Sequence, residues 1–219
     1  GHQVTWWSST YNHAQKINRF NKDRDVDISD SCKLRLLYAN GYKNNISISR
    51  IINHIIIACK FYRKALKEKR PDIILCAMPT LGLSYAATLF GKKYKVPVVL
   101  DIRDLWPDIF IEVSPRWRGL LRIFLIPVFW LVKKTCQNAT AITGITPDFV
   151  KWGVTYASRN PSVEDKDFPL GYKEKIPEKK EIINAENFWM NNGIIKHKNE
   201  FIICFFGNMA KHVLDLDTV

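Results

Sequence analysis

The sequence predicts an α/β fold, a Rossmann-like parallel sheet with helices on both faces. Short runs rich in β-branched and aromatic residues recur along it, "HQVTWWSS", "KLRLLYA", "DIILCAM", "VPVVLDI" and "ATAITGI", and each reads as a strand. Several are apolar throughout instead of alternating, as strands covered on both faces are. Helical periodicity fills the intervals after the second of them, the order expected of βαβ units.

Residues 47–69 form the clearest helix. Ile48, Ile51, Ile52, Ile55, Cys59, Tyr62 and Leu66 repeat at i, i+3, i+4 and i+7, with Arg50, Asn53, Lys60, Arg63 and Lys67 on other faces. A second helix, residues 81–95, separates the third and fourth strands. A third, "PRWRGLLRIFLIPVFWLVKKTCQNA", precedes "ATAITGI" and should break or kink at Pro127. After Ala157 the chain turns polar, charged and Pro-containing, so residues 158–200 read as an interdomain linker with short local structure. "FIICFFGNMAKHVLDLDTV" then reads as a strand, a Gly-Asn turn and a helix start. The expected organisation is a first domain over residues 1–157, the linker, and the start of a second domain over 201–219. The opening "GHQVTWWSST" is already strand-like, so the first domain is expected to have lost an earlier strand.

At 219 residues and 47% hydrophobic composition the chain suits a folded domain and part of another. Thirty-three Lys and Arg against 21 Asp and Glu leave a net charge of +12, which fits an anionic partner: nucleic acid, an anionic bilayer or a phosphorylated substrate. Five cysteines with no CxxC or Cys/His spacing point away from zinc and towards a reducing, cytoplasmic setting. "IFLIPVFWLV" is about half of the roughly 20 residues a membrane-spanning helix needs, so no span is expected.

In parallel sheets ligands bind beyond the carboxyl ends of the strands. "VPVVLDIRDLWPDIF" places Asp101, Arg103 and Asp104 there, followed by Trp106. A guanidinium offers phosphate oxygens a fixed fork of donors, and a carboxylate can orient it or accept a hydroxyl proton. An internal ion pair, with Asp104 capping the helix "LWPDIFIE", accounts for the same residues structurally. "CAMPTLGLSYAA" sets Pro79, Thr80 and Gly82 where the third strand meets a helix, either as a substrate-binding turn or as a capped βα connection. In "TGITPDF", Thr146 before Pro147 reads as an N-cap. Arg116, Arg118, Arg122, Lys133 and Lys134 bracket Trp117, Leu121, Phe124, Leu125, Phe129 and Trp130, a pattern suited to an anionic bilayer or to simple packing on the sheet.

Taken in order, "GHQVTWWSS", "PDIILCAMPT", "VPVVLDIRDLWPDIF", "ATAITGITPDF", "DFPLGY" and "FFGNMA…LDLDTV" resemble the N-terminal half of a family 4 glycosyltransferase of the GT-B type. "DIRDLWPD" is the most specific element. The nearest likeness is to the bacterial subgroup that adds hexosyl, acetamido or deoxy sugars to lipid-linked precursors of surface polysaccharides such as O-antigen. The resemblance implies a retaining transferase on the inner face of the cell membrane, with a nucleotide-sugar as donor and substrate, no cofactor and no metal. The acceptor would be a polyprenyl-diphosphate-linked glycan. It gives Asp101, Arg103 and Asp104 catalytic roles, Pro79, Thr80, Gly82 and Trp106 substrate contacts, and Gly207, Asn208 and Lys211 the donor phosphates. Arg118, Arg122, Trp130 and Lys133 would meet the membrane.

Two family features, a Gly-rich loop after a first strand and a Glu pair in the second domain, are absent from this sequence, so the polypeptide alone is expected to be inactive. A histidine often stands where Arg103 does, and a guanidinium there stabilises charge instead of moving protons. The alternatives are a non-catalytic basic binding module or a pseudoenzyme partner. Nucleic acid is not the expected partner, because no stacking aromatics interleave with the basic residues.

Overall fold

A computed structural model describes residues 1–45, 47–112, 114–171, 176–195, 197 and 200–202. The chain divides into two compact units at Pro169/Leu170. The first unit is α/β, a parallel four-stranded sheet flanked by helices beside a smaller mixed sheet.

The smaller sheet joins β1 (Val4–Ser9), β4 (Arg24–Ser29) and β5 (Cys32–Leu37) in the order β1-β5-β4. β1 runs parallel to β5, whereas β4 runs antiparallel to it. β4, "RDVDIS", escapes the apolar pattern because it is an almost fully exposed edge, where charged residues discourage further pairing. Between β1 and β4 a short hairpin, β2 (Tyr11–Asn12) and β3 (Ile17–Asn18), turns through Lys16 at φ 58°.

The parallel sheet has the order β6 (Ile74–Met78), β7 (Val98–Ile102), β8 (Ala141–Gly144) and β9 (Lys166–Asp167). α1 (Ile48–Ala65), α2 (Leu81–Tyr94), α5 (Ile126–Asn138) and α6 (Pro147–Ala157) supply the covering helices. Their core is one cluster that includes Leu37, Phe61, Met78, Phe90, Leu100, Ile102, Val132 and Ile142. Because Leu37 and Met78 share it, a single core seats both sheets. Tight packing explains Gly91 in α2: an added Cβ would collide with the Val98 side chain and lie 2.7 Å from the Val96 carbonyl.

Ser47 caps α1, its Oγ accepting from the Arg50 N–H at 3.3 Å, and Arg63 and Lys64 complement the dipole at the far end. The buried face of this helix is Asn53, Ile57, Ala58, Phe61 and Ala65. The stripe read from the sequence points the other way, with Ile48 76% and Ile51 60% exposed, and Ile52, Ile55 and Leu66 also open. The helix is apolar on two sides, so periodicity alone does not choose its inner face; on the inner side Ile57, Phe61 and Ala65 enter the core and Asn53 donates its side-chain N–H to the Asn40 carbonyl at 2.6 Å.

α3 (Asp108–Glu112) is a short helix, followed by a 3-10 turn at Pro115–Trp117 and by α4 (Arg118–Phe124). The expected break in the long helix falls at Leu125, and Pro127 lies in the first turn of α5, where its missing N–H costs nothing. Among the described residues no helix is long and apolar enough to cross a membrane. Cys32, Cys59, Cys76 and Cys136 are free thiols.

The second unit contains α7 (Lys179–Asn191), whose Glu178 and Glu181 form a capping box. Its sequence, "KKEIINAENFWMN", lies within the stretch read as linker with only short local structure. Residues 203–219, which hold most of the expected second-domain start with Gly207, Asn208 and Lys211, lie outside the described residues.

Candidate functional site at the carboxyl ends of the strands

The polar groups collect where strands end. β7 carries Asp101 between Ala77 of β6 and Thr143 of β8. One carboxylate oxygen of Asp101 accepts from Thr143 Oγ1 at 3.1 Å, and the other from Arg103 Nε at 2.6 Å. The Asp101 side chain is 16% exposed, while Arg103 is 60% exposed. A carboxylate fixed in the sheet thus holds a guanidinium that opens onto solvent, and the terminal nitrogens of Arg103 meet no partner among the described residues.

Asp104 is not the partner of Arg103. Burial raises its carboxyl above the ordinary value, opposed by the Leu105 N–H and by the charge of Arg50. Arg50, from the first turn of α1, places its guanidinium 5.1 Å from the Trp106 ring centre and 5.8 Å from that of Tyr42. Trp106 precedes a cis peptide bond to Pro107 and meets Phe110 edge-on at 4.5 Å. Asp108, in α3, accepts from Trp152 Nε1 at 2.9 Å and the Tyr156 hydroxyl at 2.7 Å, which anchors α3 on α6.

The turn after β6 is less polar than the sequence implies. Thr80 precedes α2 without a side-chain cap, and the Leu81 N–H bonds the Pro79 carbonyl at 2.7 Å. Gly82 packs on α1, where a Cβ would stand 3.4 Å from the His54 carbonyl and 3.6 Å from Ala58. Gly82 therefore lines an apolar groove with Ala58, Tyr85 and Leu131. Thr146 precedes α6 but makes no side-chain cap either.

The sequence reading missed a cluster that the fold assembles beside Arg50. The Tyr11 hydroxyl bonds the Tyr42 carbonyl, and the two rings stand 4.6 Å apart. His13 Nδ1 lies 2.8 Å from the Tyr42 hydroxyl and 3.3 Å from Lys16 Nζ. An ammonium only donates, so Nδ1 accepts and the His13 proton sits on Nε2. Lys16 Nζ also bonds Asn45 Oδ1. His54 meets Tyr42 edge-on at 6.2 Å. Burial, then Arg50, then His13 bring its pKa down to about 4, so it is neutral near pH 7. His13 and His54 are 41 positions apart and belong to no short motif; only a "YNH…K" turn immediately after a strand hinted at a site.

Arg50 Nη1 donates to the Asn45 carbonyl at 2.7 Å, while its buried Nε–H finds no acceptor among the described residues. Arg50 thus joins the loops after β1 and β5 to the loop after β7. Cationic donors stand at this end of the fold on Arg103, Arg50 and Lys16, with the His13 and His54 imidazoles beside Tyr42. Among the described residues no group of three or more His, Cys, Asp and Glu could hold a metal ion.

The α4–α5 segment presents a different surface. α4 buries no residue; Trp117, Leu120, Ile123 and Phe124 are exposed, as are Ile126 and Trp130 of α5. Arg118, Arg122, Lys133 and Lys134 stand among them. Only the far half of α5, with Val132, Thr135 and Cys136, enters the core.

Compared with known protein families, residues 1–160 match the profile of Glycosyltransferase Family 4. No curated protein matches the chain significantly.

Proposed function

Because the chain belongs to glycosyltransferase family 4, we propose that it forms the acceptor side of an enzyme that moves a sugar from a nucleotide-sugar to a membrane lipid-linked glycan in bacterial surface-polysaccharide assembly. The observation that carries the membrane part is α4. A helix with Leu120, Ile123 and Phe124 open to solvent and Arg118 and Arg122 beside them suits the interface of an anionic bilayer far better than a core. The cationic edge at Arg103 and Arg50 supplies the other half, since breaking a sugar diphosphate leaves charge on phosphate oxygens.

Asp101, locked by Thr143, aims Arg103 outward. The guanidinium meets that developing charge without having to exchange a proton. Asp104, raised by burial and within reach of the Arg50 charge, is the carboxyl assigned to receive a hydroxyl proton from the acceptor. Trp106 offers a ring edge to a sugar, and the donor would be held by the second domain, with Gly207, Asn208 and Lys211 at its phosphates. The reaction as read takes no cofactor. A test is transfer of radiolabelled sugar from a panel of nucleotide-sugars into organic-extractable lipid by the complete gene product with bacterial membranes. Label in the lipid phase is expected; label that stays in water for every donor overturns the reading.

A further inference from the structure

Between the β2–β3 hairpin, the β5–α1 connection and the first turn of α1 lies a cavity of about 450 Å³. Lys16, Tyr42, Lys43, Asn44, Ser47 and Ser49 are on its wall, and none of its lining residues is acidic. Two ammonium groups on one concave wall, with Arg50 close behind through Asn45, make a local positive potential that attracts an anion. Ser47 Oγ donates to the Asn44 carbonyl at 2.9 Å and accepts from the Arg50 N–H, so Ser49, whose Oγ lies 3.0 Å from it at the cavity edge, is the hydroxyl that can turn to an oxygen ligand.

The neighbouring groups report the same field. His13 is held below its ordinary pKa by burial, then by Lys16 and Arg50, and burial, Arg50 and His13 depress His54. The acid acting from the β7 side is Asp104, whose carboxyl feels the charge of Arg50.

We propose that this cavity is a phosphoryl-binding site, and that in the working enzyme it takes the phosphate or diphosphate of the lipid acceptor. The source of the phosphate rests on the membrane-acceptor reading above; the binding itself does not. A phosphoryl group has enough oxygens to accept from Lys16, Lys43 and Ser49 at once, and the volume leaves room for a second phosphate. The lipid source follows from α1. Ile48 lies between the two cavity serines and begins the exposed row Ile48, Ile51, Ile52 and Ile55. An anionic wall-binder whose tail is apolar would find its headgroup site and an apolar track on the same helix.

The test begins without membranes or donor. Protein labelled with ¹⁵N-histidine is titrated with inorganic pyrophosphate, and the His13 imidazole is followed against pH. A bound anion opposes Lys16 and Arg50, so the His13 pKa should rise. Lys16→Gln and Lys43→Gln should each weaken pyrophosphate about tenfold, whereas Lys92→Gln on the exposed side of α2 should leave affinity unchanged. Lys43 is exposed, so its variant remains informative even if Lys16→Gln fails to fold. No response at His13, or equal weakening by all three variants, overturns the site.

In the second arm, phosphatidylcholine vesicles with and without polyprenyl phosphate are floated with the protein. Retention by the polyprenyl phosphate vesicles that pyrophosphate displaces is expected. If pyrophosphate binds but those vesicles hold no more protein than plain ones, the ligand is a soluble phosphate and the lipid assignment falls. A protein that binds pyrophosphate yet labels no lipid in the transfer assay sinks the function reading and leaves the cavity standing. Lipid labelling with no pyrophosphate response does the reverse.

Discussion

Arg103→Ala separates a catalytic guanidinium from a structural ion pair. Its Nε donates to Asp101 at 2.6 Å, but 60% of the side chain is exposed. So open a pair contributes about 0.2–1 kcal/mol to stability. At roughly 2–4 °C per kcal/mol for a chain of this length, truncation lowers Tm by no more than about 4 °C. The catalytic expectation is much larger. If the free nitrogens of Arg103 meet a phosphate oxygen as charge develops, their loss costs about 3 kcal/mol, on the order of a hundredfold in kcat. Asp101→Asn keeps the shape of the site and the Thr143 contact but loses the charge that fixes Arg103, so it should give a smaller fall in kcat with little change in KM. Calorimetry and turnover on the same preparations decide the matter. Near-normal turnover by folded Arg103→Ala, or a fall in Tm of ten degrees or so, refutes the reasoning.

Asp104→Asn should lower transfer without loosening Arg103, because Arg103 is held by Asp101; an altered response of Arg103→Ala in the double mutant would contradict that separation. Arg118, Arg122 and Lys133 to Gln together should weaken flotation on acidic liposomes, each cation contributing about 1 kcal/mol at low salt; unchanged flotation would remove this surface from the membrane. Asp23 should shape acid stability. Burial alone would raise its carboxyl, but hydrogen bonds from Lys60, the Tyr38 N–H and Lys64 bring it down to about 2. A depressed folded value means stability that is present above the ordinary carboxylate range and lost as pH falls from about 4 towards 2. Denaturant melts of Asp23→Asn should therefore show a shallower acid limb. Gly91→Ala should destabilise by about 1–3 kcal/mol, since its Cβ would collide with Val98, and a neutral melt would mean that α2 can move off the strand.

The strands were legible in the sequence because burial leaves a local signature. Val98, Leu100 and Ile102 are essentially inaccessible, and nothing but an apolar run serves there. The position of Asp101 and Arg103 at the end of that run was legible for the same reason. The partner of Arg103 was not: Asp101 and Asp104 stand two positions before it and one after, and only the Thr143 contact across the sheet shows which carboxylate is turned towards it. α1 failed differently. Its isoleucine stripe is real, but a helix apolar on two sides gives the same periodicity whichever side is buried. The buried side carries Asn53, a polar residue that reads as outward in any hydropathy pattern. β4 carries hardly any buried residue, so it has no pattern to read. The Tyr11, His13, Lys16, Tyr42 and Arg50 cluster was invisible because the contacts that join its two halves span 29 or more positions and leave no spacing rule.

That cluster changes what the edge of the sheet can do. A site resting on Asp101, Arg103 and Asp104 alone would be one loop's work, and a single ion pair would explain most of it. Arg50 alters this by reaching Trp106 from one helix while its own loop carries Tyr42, so two sheets with different strand directions share one polar surface. Burial first, and then the same cations that would greet a phosphate, lower the pKa of both histidines there, and His54 at about 4 carries no exchangeable charge in the neutral range. The chemistry available is therefore fixed positive charge, at Arg50 against Trp106 and at Arg103 held by Asp101, with the Asp104 carboxyl displaced upward by burial. That arrangement favours a reaction whose difficulty is a departing diphosphate, in which holding charge matters more than moving protons.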